Sequence, residues 1–281
     1  MPLKLTRKAP GWDGTIVGGN TVTLRLPIGL TFHQLFTEYS FQAAGPVDLP
    51  LGQAVGEIRV VGNGKPLWNV QASELDQHNK FESRAGAASA GGGGILTMDF
   101  DRFNLRTRPA TEFTQVGTGV AADPTPLTTF IIEMELKAAV IGGSLTTRMR
   151  QSESAPLGLF KKLRRFIHTF TGAGEFQIAD YPKGDLINAI YWFESANNIT
   201  QVRLERDNFV MFDRGAALNS RIQSDGVRTP QNSLYVYDTT EDGDGTDQLV
   251  TKGINDLRFF MTLDGAMTIT SLIEFVGALE V

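Results

Sequence analysis

The sequence predicts an all-β protein built from two tandem β-sandwich domains. Two observations indicate this fold class. Apolar and polar residues alternate with a period of two in several segments, and one order of strands, turn and short helix occurs twice, about half a chain apart. Successive side chains of a strand point to opposite faces of a sheet, so a strand between core and solvent requires this alternation.

Composition and charge limit the possible functions. The chain has 281 residues, of which 41% are hydrophobic and 20% charged, enough for a folded core in one large domain or two smaller ones. The absence of cysteine excludes disulfides, Cys-ligated zinc and cysteine nucleophiles. A formal net charge of −5 argues against a specific nucleic-acid partner.

No apolar run approaches the roughly 20 residues of a membrane helix, and the N-terminus has no signal-peptide pattern. We therefore expect synthesis and folding in a cytosol.

Ten segments have the pattern of strands. In Thr21–Leu26, for example, the three even-numbered positions are apolar and the three odd-numbered positions are polar. The same alternation occurs in Leu96–Asp101, Ile132–Lys137, Gln201–Glu205 and Leu257–Leu263. Further candidate strands are Leu30–Phe41, Glu175–Ala179, Ile187–Phe193, Ser233–Asp238 and Met267–Phe275.

The first half of the chain contains a hairpin followed by a helix. Asn63-Gly64 lies between two apolar runs, and this dipeptide favours a tight hairpin turn because both residues tolerate a positive φ. The segment Ser73–Phe81 then predicts a short helix that begins with a Ser N-cap.

The second half repeats this order. The strand Gln201–Glu205 is followed by Asp207-Asn208, a second apolar run and a predicted helix over residues 216–222. The offset is 144 residues both from Ile58 to Val202 and from Trp68 to Phe212. We interpret the halves as two versions of one β-domain of seven or eight strands, the size of a β-sandwich or jelly roll.

The predicted domain boundaries follow from this repeat. Residues 1–14 form an N-terminal arm, residues 15–155 the first domain and residues 156–281 the second domain. The polar, then Pro- and Gly-containing stretch Gln151–Leu159 is the predicted linker.

Four segments resemble a known protein family. They are Gly158–Phe166, Asp180–Gly184, the Gln201–Phe212 hairpin and the closing stretch Ile273–Gly277. The chain resembles the major capsid proteins of tailless icosahedral phages with an internal membrane, the corticovirus-like double jelly-roll group. The resemblance implies two tandem jelly rolls with short flanking helices, and a homotrimeric, pseudo-hexagonal capsomer that tiles an icosahedral shell around a membrane. It further implies a virion capsid protein that is not an enzyme, has no cofactor, and has as partners its own copies, minor capsid or vertex proteins and the inner membrane.

Strand counting predicts where the two ends of each domain lie. Eight strands return the chain to the end where it began, so we expect the N-terminal arm, the linker, the C-terminus and the short helices at one end. The acidic loop Asp238–Asp247 is expected at the opposite end. The first end then collects the residues predicted to face a membrane or a neighbouring subunit: Lys4, Arg7, Lys8, Trp12, Lys161, Lys162, Arg164 and Arg165. A solvated helix end stays open as the alternative for residues 161–165.

No catalytic or metal-binding residue is predicted. The three histidines, His33, His78 and His168, are far apart in sequence and no Gly-x-Ser-x-Gly elbow accompanies them. Asp242, Asp244 and Asp247 are of the type that binds calcium, but their spacing does not fit an EF-hand loop, so we predict a solvated loop and leave calcium open.

The main alternative is a tandem β-sandwich module that binds carbohydrate or a receptor. Trp12, Trp68 and Trp192 are aromatic residues of the kind that stack on sugars. However, Trp68 and Phe212 occupy equivalent repeat positions, which favours a shared role in the core. A glycan-cleaving enzyme on the same fold is a second alternative, for which the sequence nominates no carboxylate pair.

Overall fold

The computed structural model describes residues 3–44, 48–88, 93–119 and 126–279. The sequence also predicts loops at the glycine run 91–94 and at residues 117–126, and both lie partly outside the described residues. The strands of the first half are β1 (Leu5–Lys8), β2 (Thr21–Arg25), β3 (Thr31–Gln42), β4 (Val55–Gly62), β5 (Lys65–Gln71), β6 (Gly94–Asp99), β7 (Val116–Gly117), β8 (Phe130–Leu136) and β9 (Gly142–Ser152). Its helices are α1 (Leu51–Ala54), α2 (Ala72–Phe81) and α3 (Arg108–Glu112).

The second half has one helix, α4 (Ala216–Gln223), within the described residues. Its strands are β10 (Phe160–Phe170), β11 (Gly174–Ile178), β12 (Leu186–Phe193), β13 (Ile199–Arg206), β14 (Phe209–Gly215), β15 (Leu234–Asp238), β16 (Leu249–Val250), β17 (Leu257–Leu263) and β18 (Met267–Gly277).

The two halves have the same sheet topology. In the first half the sheet β6-β3-β9-β1 packs on the strands β2-β8-β4-β5, and in the second half β15-β12-β18-β10 packs on β11-β17-β13-β14. The short strands β7 and β16 pair with β3 and β12. Each half is an eight-stranded jelly roll, which confirms the predicted double jelly roll with short helices.

The two jelly rolls share one sheet. Strand β5 of the first pairs with β10 of the second, so that four strands from each jelly roll, together with β16, form a nine-stranded sheet. Alternating burial fills the two cores: in β2 only Val22 and Leu24 are fully buried, and in β17 the odd positions from Leu257 to Leu263 are buried.

Matching bulges align the two jelly rolls residue by residue. Strand β3 has an irregularity at His33 against β9, and β12 has one at Asn188 against β18. With these bulges superposed, Gln151 of β9 corresponds to Phe275 of β18. Their partners on the next strand, Leu5 and Lys162, then correspond as well.

The chain enters and leaves both jelly rolls at one end, which we call the base. Antiparallel pairing places Phe160 beside Gly277 and Thr31 beside Ser152 there.

The prediction for the positions of the helices and the acidic loop is wrong. Helices α2 and α4 each follow the fifth main strand of their jelly roll, and an odd number of strands leads to the far end. The loop after β15 follows the sixth strand and returns to the base.

Five strands were not predicted. Strand β9 overlaps the predicted linker, β10 covers a stretch that was left unassigned, and β1 lies inside the predicted arm 1–14. The other two are the two-residue strands β7 and β16. The predicted boundaries themselves stay predictions. Within the described ranges, no helix has the length and apolar character needed to span a membrane.

Candidate assembly surfaces

The seam between the jelly rolls is formed by β5, β10 and helix α2. Strands β5 and β10 run parallel and meet at Trp68 and Leu163, and the indole Nε1 of Trp68 donates to the carbonyl of Lys161 at 2.8 Å. Phe160 and Leu163 are fully buried and belong to the core of the first jelly roll, although they lie in the second. The second jelly roll therefore completes the core of the first.

A buried ionic cluster lies behind this seam. The Glu274 carboxylate lies 3.5 Å from the Lys161 ammonium and 3.5 Å from Nε2 of His78, and accepts a 2.8 Å hydrogen bond from Asn188. Arg102 of the first jelly roll donates to Asn188 at 3.3 Å. All five side chains are almost fully buried. The cluster thus joins the loop after β6, helix α2 and three strands of the second jelly roll.

The cluster changes the acidity of Glu274. Burial alone raises the pKa of a carboxyl because it disfavours the charged form. Here the positive charge of Lys161, followed by His78 and Arg102, outweighs burial and lowers the pKa of Glu274 to about 2. Glu274 is therefore ionised and paired at neutral pH.

The structure corrects the prediction for the basic run at residues 161–165. Lys161 and Lys162 do not face a membrane or a neighbouring subunit, because their side chains are only 6% and 3% exposed. Lys162 pairs with Asp185 at 2.8 Å, and the Arg164 guanidinium lies 6.0 Å from the Phe275 ring. Arg165 pairs with Glu74 of helix α2 at 2.7 Å. These residues belong to a central strand and not to a solvated helix end.

The N-terminal candidates divide into two pairs. Lys4 is bound within the chain by Asp101 at 2.9 Å and Glu112 at 3.0 Å, and Trp12 donates to Thr147 at 3.0 Å while packing against the first core. Arg7 and Lys8 lie on the exposed edge strand β1. Of the predicted residues, these two keep exposed side chains at the base of the chain.

Acidic and basic groups meet at the base. The loop after β6 contacts the acidic loop after β15: the Arg106 amide donates to the Gly243 carbonyl at 2.9 Å, and Arg102 donates to the Gly245 carbonyl at 3.1 Å. The predicted dipole, basic at one end and acidic at the other, is therefore wrong. Among the described residues, no cluster of three or more His, Asp or Glu side chains is arranged to hold a metal ion.

His33 lies in an arrangement that the sequence did not reveal. Its Nδ1 lies 2.9 Å from Asp101 and its Nε2 lies 2.9 Å from the Ser152 hydroxyl, the order of groups in a Ser-His-Asp triad. His33 is 1% exposed and Ser152 7% exposed, so the hydroxyl is closed to a substrate from solvent. We interpret these bonds as structural support for the bulge at His33.

The second jelly roll carries an apolar edge that none of the described residues covers. Strand β14 is the last strand of its sheet, and Phe209, Val210 and Met211 are 70%, 46% and 41% exposed. On helix α4, Leu218 and Ile222 are 55% and 40% exposed. We call these five residues the open edge. A long edge strand with exposed apolar residues is a template for pairing with another chain.

Sequence reasoning missed the open edge for an identifiable reason. The run Phe209–Phe212 is continuously apolar, which is typical of a buried strand, yet only Phe212 is buried. The informative signal was the lack of alternation in a strand at the edge of a sheet.

Family models match both jelly rolls. The model of the viral coat protein P2 N-terminal domain matches residues 7–152, and the model of the viral coat protein P2 C-terminal domain matches residues 160–279. The chain belongs to the viral coat protein P2 family. It is a virion capsid component with a structural, non-enzymatic role, which confirms the prediction of a viral major capsid protein over the carbohydrate-binding alternative.

Solved structures show the same fold. The major capsid protein P2 from bacteriophage PM2 matches with a TM-score of 0.85 at 20% identity, over 99% of this chain and 98% of that one. The STIV MCP matches with a TM-score of 0.70 at 12% identity, over 98% and 97%. The PBCV-1 virus capsid matches with a TM-score of 0.60 at 8% identity, over 100% and 97%. A search of curated protein sequences finds no match.

Proposed function

We propose that this coat protein forms a homotrimeric, pseudo-hexagonal capsomer, and that these capsomers tile an icosahedral shell around an internal membrane. The observation that supports the trimer is the repeated topology, with two jelly rolls of one strand order standing side by side across a shared sheet. Three such chains provide six similar jelly rolls, and a ring of six jelly rolls matches the hexagonal outline of one position in the lattice.

The mass of the native assembly tests the trimer. Native mass spectrometry of the purified protein should give a species of about 92 kDa, three times the chain mass of 30.7 kDa. A protein that stays monomeric or dimeric at micromolar concentration would contradict the proposal.

The base is the face that we assign to the internal membrane. Strand β1 begins there and strand β18 ends there, Leu3 is 71% exposed, and Arg7 and Lys8 lie on β1. Each Lys or Arg close to an anionic bilayer contributes about 1 kcal/mol, and a trimer multiplies this weak attraction. We further propose synthesis in the host cytoplasm, and minor capsid or vertex proteins as additional partners.

Vesicle flotation tests the membrane assignment. Trimers of verified mass should float with vesicles that contain anionic phospholipid at low salt, and the K8Q variant should float less. Lys137→Gln, which removes the same single charge at an exposed position directly after the far end of β8, is the matched control. Equal flotation of K8Q and wild type would contradict a basic membrane contact.

A further inference from the structure

The open edge fits one partner in particular, a second copy of this chain. We infer that β14 and helix α4 of one subunit dock against β1 and the outer face of β3 and β6 of the next subunit, and so repeat between chains the seam that β5, α2 and β10 form within one chain. This inference rests on the proposed trimer, and it names the surfaces that hold the trimer together.

The internal alignment identifies the equivalent surfaces. Strand β14 and helix α4 correspond to β5 and α2 with an offset of 144 residues. Strand β1 corresponds to β10, because Leu5 and Lys162 pair with equivalent residues of β9 and β18. Within the chain, β5 and β10 cover each other. Their counterparts β14 and β1 are the last strands of their own sheets, so each has one edge that pairs with no other strand in the described part of the chain.

The paired strands provide matched contacts. The Trp68 and Leu163 pair corresponds to Phe212 of one subunit and Thr6 of the next. One residue before this pair, Leu67 corresponds to Met211 and Lys162 corresponds to Leu5. The side chain of Met211 is 41% exposed and that of Leu5 is 39% exposed. Two exposed apolar side chains would then cover each other.

One residue after the pair, the counterparts have opposite charge. Asn69 and Arg164 line the same groove along the seam, and they correspond to Asp213 and Arg7. Both counterparts are exposed in the isolated chain. An acidic residue on one edge and a basic residue on the other favour this register between subunits.

The helix provides the second set of contacts. His78 of α2 packs against Tyr191 with the ring centroids 4.6 Å apart and the rings tilted. The counterparts of these two residues are Ile222 of α4 and the half-buried Phe36 of β3. Leu234 of β15 packs against the core of the first jelly roll, and its counterpart on β6 is Ile95, which is 51% exposed. Ile222 and Ile95 are therefore exposed apolar residues at positions where the internal seam has packed side chains.

The two docking surfaces differ, so the contact is head-to-tail. Such a contact closes into a ring when the rotation per subunit divides a full turn. If the seam within a chain and the seam between chains have the same geometry, each rotates one jelly roll relative to the next by one sixth of a full turn. Three chains, which contain six jelly rolls, then close the ring. A symmetric dimer formed through the open edge would leave the edge of β1 uncovered on both chains.

Engineered disulfides test this arrangement because the natural chain contains no cysteine. In the L5C/M211C double variant, mild oxidation should convert most of the protein to covalent dimers and trimers on a non-reducing gel. The K8C/M211C control shifts one partner by three residues, about 10 Å along the strand, and should cross-link far less.

The outcomes separate the two proposals. A native trimer without the L5C/M211C cross-link, or with equal cross-linking of the control, would overturn the seam and leave the trimer standing. Absence of a native trimer in the uncross-linked wild-type chain would overturn the proposed function itself. Covalent ladders that extend beyond three chains would contradict a closed ring.

A charge in the seam gives an independent readout. Ile222→Asp should raise the trimer dissociation constant at least about tenfold, because a charge would be buried against Phe36. Ile141→Asp, at an exposed loop position with 58% exposure, is the control and should leave the constant unchanged. Both side chains are exposed in the monomer, so unchanged thermal stability of dissociated chains would show that folding is intact. An unchanged dissociation constant for I222D would contradict the seam.

Discussion

The internal seam and the open edge are built from the same elements but differ in chemistry. In the internal seam, Trp68 is 2% exposed, and helix α2 presents Glu74 and His78 to partners on the second jelly roll. At the open edge, helix α4 presents Leu218 and Ile222 at the same positions. A seam within one chain forms once and holds its buried charged groups in salt bridges or hydrogen bonds. Separately folded chains, in contrast, must first expose the surface that they later bury. Charged residues are correspondingly depleted from the cores of protein interfaces.

Breaking the ionic cluster should have the largest effect on the internal seam. In Lys161→Met, Glu274 keeps its burial but loses the positive charge that lowers its pKa most, and we expect the free energy of unfolding to fall by about 3–5 kcal/mol. Urea unfolding at pH 7 measures this change. Lys137→Met is the control at an exposed position and should differ from wild type by less than about 0.5 kcal/mol. A loss of under 1 kcal/mol for K161M would show that the cluster contributes little.

Acid should loosen the internal seam through the same carboxylate. The pKa of Glu274 is lowered to about 2 in the folded chain, so its contribution to stability is complete above the ordinary pKa of about 4.3 and is lost as the pH falls from about 5 to 2. The contribution amounts to about 3 kcal/mol. Stability measured against pH should therefore fall less steeply in Glu274→Gln than in wild type over this range. Parallel curves would contradict the assigned pKa.

The salt bridge between Arg165 and Glu74 should have the smallest effect. The Arg165 side chain is 27% exposed, so solvent screens the pair, and we expect its coupling energy to be about 1 kcal/mol or less. A double-mutant cycle of Arg165→Ala and Glu74→Ala measures the coupling. A coupling energy above 2 kcal/mol would place this pair in the buried cluster.

Sequence patterns predicted the elements whose signal is local. Alternation located β17 at Leu257–Leu263, and the 144-residue offset matched both hairpins and the start of both helices. These features depend on residues that are neighbours in sequence, because a turn dipeptide or a period of two needs no distant partner.

Strand β10 could not be predicted from local patterns. Its run Lys161–Arg165 contains four basic residues in five, typical of a solvated segment. Their carboxylate partners Glu74, Asp185 and Glu274 are separated from this run by 20 residues or more in sequence. Only the fold brings these partners to the strand, so burial of the lysines depends on tertiary structure.

Amide hydrogen exchange tests the central claim, that β14 is the second version of the internal seam. We predict that the amides of β14, α4 and β1 exchange more slowly in the native trimer than in the dissociated chain. The amides of β5 and β10 should be protected equally in both. Unchanged exchange in β14 and β1, with new protection at other sheet edges such as β2, would contradict the claim.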